Sequence, residues 1–484
     1  MVPVMSLPYD DVHLIADPLY GYLRITTPRD ESEVTETDII DDPWVQRLKR
    51  IHQLQSSWWV FPTAEHSRFA HSLGVMHLAG TLATHVYPSL VEVLGREGAK
   101  PVPSRPLVEE TLRLAGLLHD VGHGPFSHFC DEQYLHPKWG LDHERLGQRL
   151  IVRELGAAIA ALTRSPSGAF DAGERVEPAH VASLIRDEGA SEAPASGAGS
   201  PEVPPAPRWV CLLRRALAGA VTVDNMDYVR RDAYMCGVSL GAVDVDRLIY
   251  YTFCGSDGLT YHKRALGALR AFLNARFYLY ENIYFHRVGG AIDMHLREIF
   301  ADTMELVLPR NPLDDMDAYR KLTEWSLFEQ VDGWMEEPAG TPRRRLAEEW
   351  QQIIHRNVKY HVVFEQSVER RQIAPATREL TRADFAAAIR RQLPPQLREM
   401  PFEVDVASQD PRPLNPLRGS KRLLIYDPVT DRVEDDLLSG IIDFIPAKAH
   451  IYRVYSVQHE HERDLAEAAR AALSEVAPAN LTNL

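Results

Sequence analysis

The chain has 484 residues, enough for two or three domains at about 150 residues each. Its composition, 45% hydrophobic and 25% charged, excludes fibrous, collagen-like and wholly disordered proteins. The 53 Lys and Arg against 68 Asp and Glu give a net charge of -15, which opposes bulk attraction to nucleic acid or anionic lipid. We therefore expect a globular protein that binds any anionic ligand in a local basic pocket.

The four cysteines are too few and too scattered for a disulfide framework or a paired metal-binding motif. The first eleven residues have neither the basic nor the apolar segment of a signal peptide, and no run of about 18 uncharged apolar residues follows. These features predict a cytoplasmic protein without a membrane span, for which nucleic acid is a disfavoured partner.

Helical signals dominate the first two thirds of the chain. Apolar periodicity runs from Thr37 to about Gly156, with a proline-led helix start at Asp42-Pro43. Residues 188–207 are rich in Ala, Ser, Gly and Pro and predict a mobile loop. Helices are expected again from residue 209 through the long segment 266–307, with turns between them at Gly255 and Gly258.

The last third changes to strand-like sequence. Runs of β-branched and aromatic residues, separated by turn residues, predict strands at 359–365, 402–406, 422–426 and 450–457. An amphipathic helix is predicted over 460–476, docked on the neighbouring sheet. We therefore expect a mainly α protein, with a helical core over residues 1–340 and a smaller α+β region over residues 341–484 that is regulatory or oligomerising.

The densest group of chemically active residues is the segment 117–128, LLHDVGHGPFSH, in which three histidines and an aspartate follow an apolar helix. His71 lies on a second helix, and Asp224, Tyr228 and Asp232 recur one turn apart on a third. Imidazole and carboxylate groups without thiolates suit a divalent ion such as Mn, Mg, Fe, Zn or Co. Such an ion activates water and polarises phosphoryl oxygens, so these residues predict hydrolysis of a phosphate ester.

At this point the sequence resembles a known family. His71, His119-Asp120 and Asp224 resemble, in order and helical context, the H…HD…D signature of the HD-domain metal-dependent phosphohydrolases. The segments FPTAEHSRFAHSLGV, AGLLHDVGHGPFSH, VDNMDYVRRD and YFHRVGGAID resemble the deoxynucleoside triphosphate (dNTP) triphosphohydrolases of that family. The likeness runs from about residue 10 to residue 305 and fades in the carboxy-terminal third.

The resemblance implies a helical HD-type catalytic core and a reaction. It implies that metal-activated water attacks the α-phosphate of a dNTP and releases a deoxynucleoside and inorganic triphosphate. The metal ligands that it implies are His71, His119, Asp120 and Asp224. The residues that it assigns to proton transfer are His123, Asp131 and His143, with His128 near the leaving 5′ oxygen. Histidine suits this role because its ordinary pKa is near neutrality.

The resemblance also implies a substrate pocket. Arg68 and Arg276 match phosphate-contacting positions, and Leu54 matches the residue that crowds the sugar 2′ position. At the positions that surround the sugar 3′-hydroxyl in the family, this sequence has Gln53, Tyr228 and Asp232. The four-residue spacing of Tyr280 and Tyr284 places them on one helix face, where they either flank a base or a phosphate or pack in the core. Two departures put the identity of the substrate in question: Asn225 stands in place of a phosphate-binding lysine, and Tyr280 in place of a histidine.

A regulatory site is the least specific part of the resemblance. Asp41, Gln46 and Lys49 align with part of a guanine-nucleotide site that lies between subunits in the family. This alignment implies a GTP or dNTP activator and a homo-oligomer, either a dimer or a tetramer. The alternative is that residues 45–51 are simply an amphipathic helix.

Two other functions stay open. An HD phosphohydrolase could instead act on a nucleoside monophosphate, a cyclic nucleotide or an oligonucleotide end, with different products. A nucleotide-binding regulatory or scaffold protein with a degenerate site is a hypothesis of another class. The presence of all four residues of the H…HD…D signature argues against a degenerate site.

Overall fold

The computed structural model describes residues 11–186, 206–370, 380–409, 423–434 and 448–476. Helices form most of this part of the chain, so the expectation of a mainly α protein is confirmed. The loop predicted at 188–207 lies outside the described residues except for its last two positions. None of the described helices is both long and apolar enough to cross a lipid bilayer.

The α-helices are numbered in chain order, with their bounds as follows: α1 (Glu36–Ile40), α2 (Pro43–Gln46), α3 (Arg68–Arg96), α4 (Arg105–Leu118), α5 (His128–Cys130), α6 (His136–Trp139), α7 (His143–Arg153), α8 (Gly156–Ala161), α9 (Pro178–Leu184), α10 (Arg208–Leu213), α11 (Val223–Met235), α12 (Val245–Tyr250), α13 (Leu266–Leu279), α14 (Arg287–Val307), α15 (Met316–Lys321), α16 (Glu324–Gly333), α17 (Pro342–Ile354), α18 (Arg382–Gln392) and α19 (Glu462–Val476). Two π-helical segments, Asp131–Leu135 and Tyr280–Tyr284, follow α5 and α13.

The strands are β1 (Val12–Asp17), β2 (Gly21–Thr26), β3 (Arg164–Ser165), β4 (Gly168–Ala169), β5 (Thr252–Gly255), β6 (Gly258–His262), β7 (His361–Arg370), β8 (Glu403–Gln409), β9 (Ile425–Asp427), β10 (Arg432–Glu434) and β11 (Lys448–Ser456). They form two two-stranded sheets, β1-β2 and β3-β4, a four-stranded sheet in the order β10-β9-β6-β5 and a three-stranded sheet in the order β7-β11-β8.

Three helices carry the HD signature, and local sequence determines where each begins or ends. The Ser104 hydroxyl caps α4 by accepting a hydrogen bond from the amide of Leu107, and α4 ends at Leu118, directly before His119. The Thr222 hydroxyl caps α11 by accepting from the amide of Asn225. This cap places Asp224 in the first helical turn, where the helix dipole favours a carboxylate.

Glycines allow these helices to pack closely. A methyl group on Gly74 of α3 would lie 2.0 Å from Asp227 Oδ1 of α11, and one on Gly116 of α4 would lie 2.9 Å from the carbonyl oxygen of Val75. A larger residue would displace the buried Asp227–Arg231 ion pair at Gly74 and press on the backbone of α3 at Gly116. The two contacts bring the signature residues of α3 and α11, and those that follow α4, to one place.

Two hairpins and one helix break were not anticipated by the sequence analysis. β1 pairs with β2, and β5 pairs with β6 across the turn at Gly255–Gly258, where only turns were expected. The predicted helical stretch 266–307 is interrupted after Tyr284, because the chain leaves helical geometry at Phe285. It re-enters a helix at α14, where His286 Nδ1 accepts a hydrogen bond from the amide of Val288.

The carboxy-terminal strands and the final helix are confirmed. β7, β11 and β8 form an antiparallel sheet, against which α18 and α19 pack to make a second, smaller hydrophobic core. β9 does not join that sheet: it pairs in parallel with β6 of the helical part, with Ile425 opposite Tyr261. Trp350 of α17 is buried in the larger core. The division of the chain at residue 340 stays a prediction.

Candidate active site

The structure brings the four predicted metal ligands together. His71 Nε2 lies 3.1 Å from Asp224 Oδ1 and 3.9 Å from Asp120 Oδ2. His119 Nε2 lies 3.3 Å from Asp120 Oδ1 and 3.7 Å from Asp224 Oδ1. Two imidazole nitrogens and two carboxylates therefore face one small volume, although they come from three separate segments of the chain.

The other ring nitrogen of each histidine is held by a second partner. His71 Nδ1 donates to Asp227 Oδ2 at 2.7 Å, and His119 Nδ1 donates to the carbonyl oxygen of Gly116 at 2.8 Å. These bonds leave Nε2 of both rings directed at the carboxylates. His119 Nε2 is buried and makes no hydrogen bond within the described residues. Histidines that bind a metal ion typically have Nδ1 anchored in this way and Nε2 directed at the ion.

The charges of the cluster favour a cation. Burial opposes a charge on His71, but hydrogen bonds to Asp224 and Asp227 outweigh burial and raise the pKa of this ring to about 10. Burial would also raise the pKa of Asp120, yet Arg68, His119 and His123 hold it well below its usual range. Against the same effect of burial, the neighbouring His119 and His71 lower the pKa of Asp224. Two ionised carboxylates and two imidazoles fit a divalent ion.

Asp227 is a site residue that the sequence analysis did not assign. It pairs with Arg231, whose Nε lies 2.8 Å from Oδ2, and it also accepts from the Tyr20 hydroxyl at 2.8 Å. Its contact with His71 makes it the group that orients this ring. The only sequence signal for this role was the position of Asp227, three residues after Asp224 on α11.

A second histidine cluster lies beside the first. The rings of His123 and His143 stack with centroids 3.7 Å apart, and the His128 ring lies 4.8 Å from that of His123. His143 Nδ1 lies 2.5 Å from Asp131 Oδ2. His143 is the first residue of α7. α7 can pack this closely because residue 122 is a glycine: a methyl group there would lie only 2.0 Å from the carbonyl oxygen of His143.

The proton affinities of the three rings differ. Burial opposes a charge on His143, but Asp131 outweighs burial and raises the pKa of His143. Burial, together with Arg68 and His143, lowers the pKa of His123 well below its usual range. Burial has the largest effect on His128, followed by the charges of His143 and Arg68, and together they lower its pKa to about 3. The proton of the cluster is therefore held by the His143–Asp131 pair. Candidate ligand atoms of the same four residues also lie close enough together to hold an ion.

A cavity of about 770 Å³ opens onto both clusters. Its wall includes these residues of the predicted substrate pocket: Gln53, Leu54, Arg68, Tyr228, Asp232, Tyr280 and Tyr284. The lining does not include Arg276, whose guanidinium carbon is 5.8 Å from the centre of the Tyr280 ring. The expected contact of Arg276 with phosphate stays a prediction.

Arg68 and Asp232 are already engaged at the wall. Arg68 donates to Asp120, and its Nε donates to Ser127 Oγ at 2.7 Å. Asp232 accepts from the Tyr284 hydroxyl at 2.6 Å and from His66 Nε2 at 2.9 Å. Arg68 thus connects a metal-cluster carboxylate with the loop that carries His128.

Sequence reasoning missed the contribution of the carboxy-terminal region to the cavity. Arg382, Asp405 and Arg453 line the wall opposite the HD signature. Arg453 donates through Nε to Glu365 Oε2 at 2.6 Å and through Nη2 to the carbonyl oxygen of Phe285. No motif marks these residues, since their position follows from the packing of the sheet β7-β11-β8 against the helical part.

The three residues of the predicted regulatory site are neighbours on the surface. Lys49 Nζ donates to Gln46 Oε1 at 2.7 Å, and Gln46 Nε2 lies 3.4 Å from Asp41 Oδ1. Lys49 also lies over the Phe69 ring, 4.5 Å from its centre. The alternative, that residues 45–51 are simply an amphipathic segment, also agrees with the structure, because Val45, Leu48 and Ile51 are buried.

Comparison with known proteins agrees with the site. Residues 68–189 match the HD domain family, so this chain carries an HD domain, and the resemblance to HD-domain proteins is confirmed. It is similar to deoxynucleoside triphosphate triphosphohydrolase SAMHD1 of Bos taurus, with 28% identity over 342 residues, covering 65% of this chain and 53% of that protein. It is 28% identical over 290 residues to the uncharacterized protein YwfO of Bacillus subtilis, covering 60% and 55%.

A solved structure shares the fold. The crystal structure of a hypothetical protein from Aquifex aeolicus aligns with a TM-score of 0.64 and 24% identity, covering 96% of this chain and 100% of that one. The chain spans about half the length of the curated relatives it matches.

Proposed function

We propose that this protein hydrolyses deoxynucleoside triphosphates to a deoxynucleoside and inorganic triphosphate. The observation that carries the proposal is the convergence of His71, His119, Asp120 and Asp224 beside a second cluster of three histidines and Asp131, both open to one cavity. The cavity volume of about 770 Å³ lies within the usual range for small-molecule sites. The similarity to relatives whose names state this activity supports the choice of substrate.

The four signature residues would hold the divalent ion, which is Mn, Mg, Fe, Zn or Co. When bound, it supplies water of lowered pKa and neutralises charge on a phosphoryl group. Asp227 and the carbonyl oxygen of Gly116 keep the two imidazoles oriented for this role.

The second cluster supplies the proton in this proposal. The His143–Asp131 pair keeps a proton near neutral pH, and His123 stacks on His143 in the neutral form. His128 faces the cavity, so it can pass a proton to the leaving 5′ oxygen. The stacked rings thus form a short path from the ion pair to the substrate.

The wall residues bind and select the sugar. Gln53 Oε1 is buried and accepts no hydrogen bond within the described residues, so it is available to a 3′-hydroxyl. Leu54 is apolar and only 7% exposed, and it would crowd a 2′-hydroxyl. Arg68 offers the guanidinium that suits a phosphate.

Product analysis tests the proposal. The metal-reconstituted protein is incubated with all dNTPs and NTPs, and chromatography is expected to show deoxynucleoside and intact triphosphate. The Asp120→Asn variant should lose metal and turnover while the exposed control Asp246→Asn keeps both. In parallel incubations with a nucleoside monophosphate or a cyclic dinucleotide, release of orthophosphate or of a linear dinucleotide would instead indicate the alternative phosphohydrolase. Binding of nucleotide without any product would indicate the scaffold.

The proton-transfer role of His123 is separable from metal binding. His123→Ala should keep its metal and substrate affinity while turnover falls by about 10²–10⁴, the usual share of general acid catalysis. Loss of metal in this variant would make His123 a ligand. Unchanged turnover would remove it from the mechanism.

Asp41, Gln46 and Lys49 are proposed as part of an activating site for GTP or a dNTP in a dimer or tetramer. Their mutual contacts place an amide, a carboxylate and an ammonium within one surface cluster. Activity and sedimentation are measured with and without GTP, for the wild type and for Lys49→Ala. Activation that survives unchanged in Lys49→Ala would exclude this residue from such a site.

A further inference from the structure

A third cluster of metal-binding residue types lies on the carboxy-terminal region, outside the wall of the cavity. His361 is the first residue of β7, His459 lies in the turn after β11, and Glu462 opens α19. Candidate ligand atoms of the three lie within 4.8 Å of one another. The pairing of Ser456 with His361 between β11 and β7 brings the turn to this position.

Both imidazoles approach the same carboxylate oxygen. His361 Nε2 lies 2.8 Å and His459 Nδ1 lies 2.7 Å from Glu462 Oε1, while the two rings stack 4.2 Å apart. His361 Nε2 is shielded from solvent, yet it is out of line for a hydrogen bond despite its short distance from Oε1. A carboxylate oxygen that two imidazole nitrogens approach, only one of them in line for a hydrogen bond, is an arrangement that a shared cation satisfies, since each of the three atoms has a lone pair to direct at the ion.

We propose that His361, His459 and Glu462 bind one divalent transition-metal ion, of which zinc is the best match. Two imidazole nitrogens and one carboxylate oxygen are borderline ligands that suit zinc, and the exposed side of His459 leaves a fourth position to water. The Glu462 carboxylate neutralises part of the charge of the ion. This site is independent of the HD signature and of the proposed hydrolysis.

The consequence of the site would be structural. The ligands come from β7 and from both sides of the start of α19, so they meet only when the sheet and the helix have formed. α19 packs through Leu465 and Ala469 on the smaller core. An ion that binds only the folded arrangement stabilises it, so the carboxy-terminal region would become more resistant to heat as free zinc rises.

The test compares variants of the full chain by equilibrium dialysis with zinc, followed by metal analysis. His459→Ala removes one ligand, and His461→Ala is the matched control because this histidine lies on the same turn and pairs with Asp464 instead. The wild type and His461→Ala are expected to bind one zinc more than His459→Ala. The HD cluster contributes equally to all three, so the difference isolates the third cluster.

Thermal melting gives a second readout. Zinc should raise the melting temperature of the wild type and of His461→Ala more than that of His459→Ala. His459 is exposed, so its replacement leaves the fold intact, which circular dichroism without added metal checks. Equal zinc stoichiometry in the wild type and His459→Ala, or an equal loss in His461→Ala, overturns the proposal.

Discussion

Leu54 shows how a single side chain can select the sugar. It lies in the cavity wall next to Gln53, and an apolar group there has no hydrogen bond to offer a ribose 2′-hydroxyl. Under the proposed function, exclusion of ribonucleotides rests on its volume.

We expect Leu54→Ala to lower the preference for dATP over ATP by about 10- to 200-fold, the usual effect of removing a contact of methylene size. The ratio of kcat/KM values from direct competition measures the change. Leu306→Ala, at an exposed site on α14, is the control. Equal rates of the wild type on dATP and ATP would contradict the argument.

Asp131 determines which histidine of the second cluster is charged. Its carboxylate outweighs burial and raises the pKa of His143, so the protonated ring persists above its ordinary range. A step that needs this proton is supported at low pH and is lost as the pH rises through the raised pKa.

Removing the carboxylate should reverse this shift. In Asp131→Asn, burial is no longer opposed, so the pKa of His143 falls and the alkaline decline of kcat begins at a lower pH. A profile of kcat from about pH 5 to pH 9 measures the shift. The exposed Asp246→Asn is the control, and an identical alkaline limb in both variants would exclude His143 as the proton source.

At the scale of elements, two of the three glycines of α3 have opposite roles. A methyl group on Gly74 would lie 2.0 Å from Asp227 Oδ1 and 2.4 Å from Arg231 Nη2, whereas one on Gly95 would meet nothing within 4 Å. The first glycine is required by the crossing of α3 and α11, and the second is not.

These two positions form a matched pair of substitutions. Gly74→Ala should displace the Asp227 carboxylate that holds His71, reduce the metal content and destabilise the protein by about 1–3 kcal/mol, as overpacking does. Gly95→Ala should leave the metal content unchanged and stabilise the protein by up to about 1 kcal/mol, because alanine is the better helix former. Denaturant unfolding and metal analysis measure both. Normal metal content in Gly74→Ala would show that the crossing does not control the site.

Glu324, the first residue of α16, holds the loop that follows the HD pair. Glu324 is fully buried, accepts a hydrogen bond from the amide of Phe126 at 3.0 Å and contacts His52. Phe126 and Ser127 have φ angles of 58° and 55°, which most residues avoid. The buried carboxylate therefore stabilises a strained turn directly before His128.

At the scale of the whole molecule, the active-site cavity depends on both parts of the chain. Arg453 is 3% exposed and joins β11 to the turn at Phe285, which directly follows the π-helical segment carrying Tyr280 and Tyr284. The wall opposite the HD signature is therefore held by a contact between residues 168 positions apart.

Loss of this contact should weaken substrate binding more than metal binding. We expect Arg453→Met to raise KM for the nucleotide about 10- to 100-fold, the equivalent of the 1.5–3 kcal/mol of a charge-assisted hydrogen bond, with the metal content unchanged. Arg391→Met, exposed on α18, is the control. An unaltered KM would show that the carboxy-terminal wall does not contact the substrate.

The sequence alone determined the elements that depend on local interactions. Apolar periodicity predicted the helices of the HD core, β-branched runs predicted the strands of the carboxy-terminal region, and an amphipathic pattern predicted its final helix. The HD pair could be recognised because its histidine and aspartate are adjacent in the chain and follow a helix end.

Only the tertiary structure decided which distant groups meet. Asp227 orients His71 from another helix, Arg276 lies near the Tyr280 ring, and β9 crosses back to pair with β6. Arg453 reaches the cavity from the last strand. None of these contacts leaves a periodic trace in the sequence, because each is set by how two separately formed surfaces pack and by the buried charges that must find partners when they do.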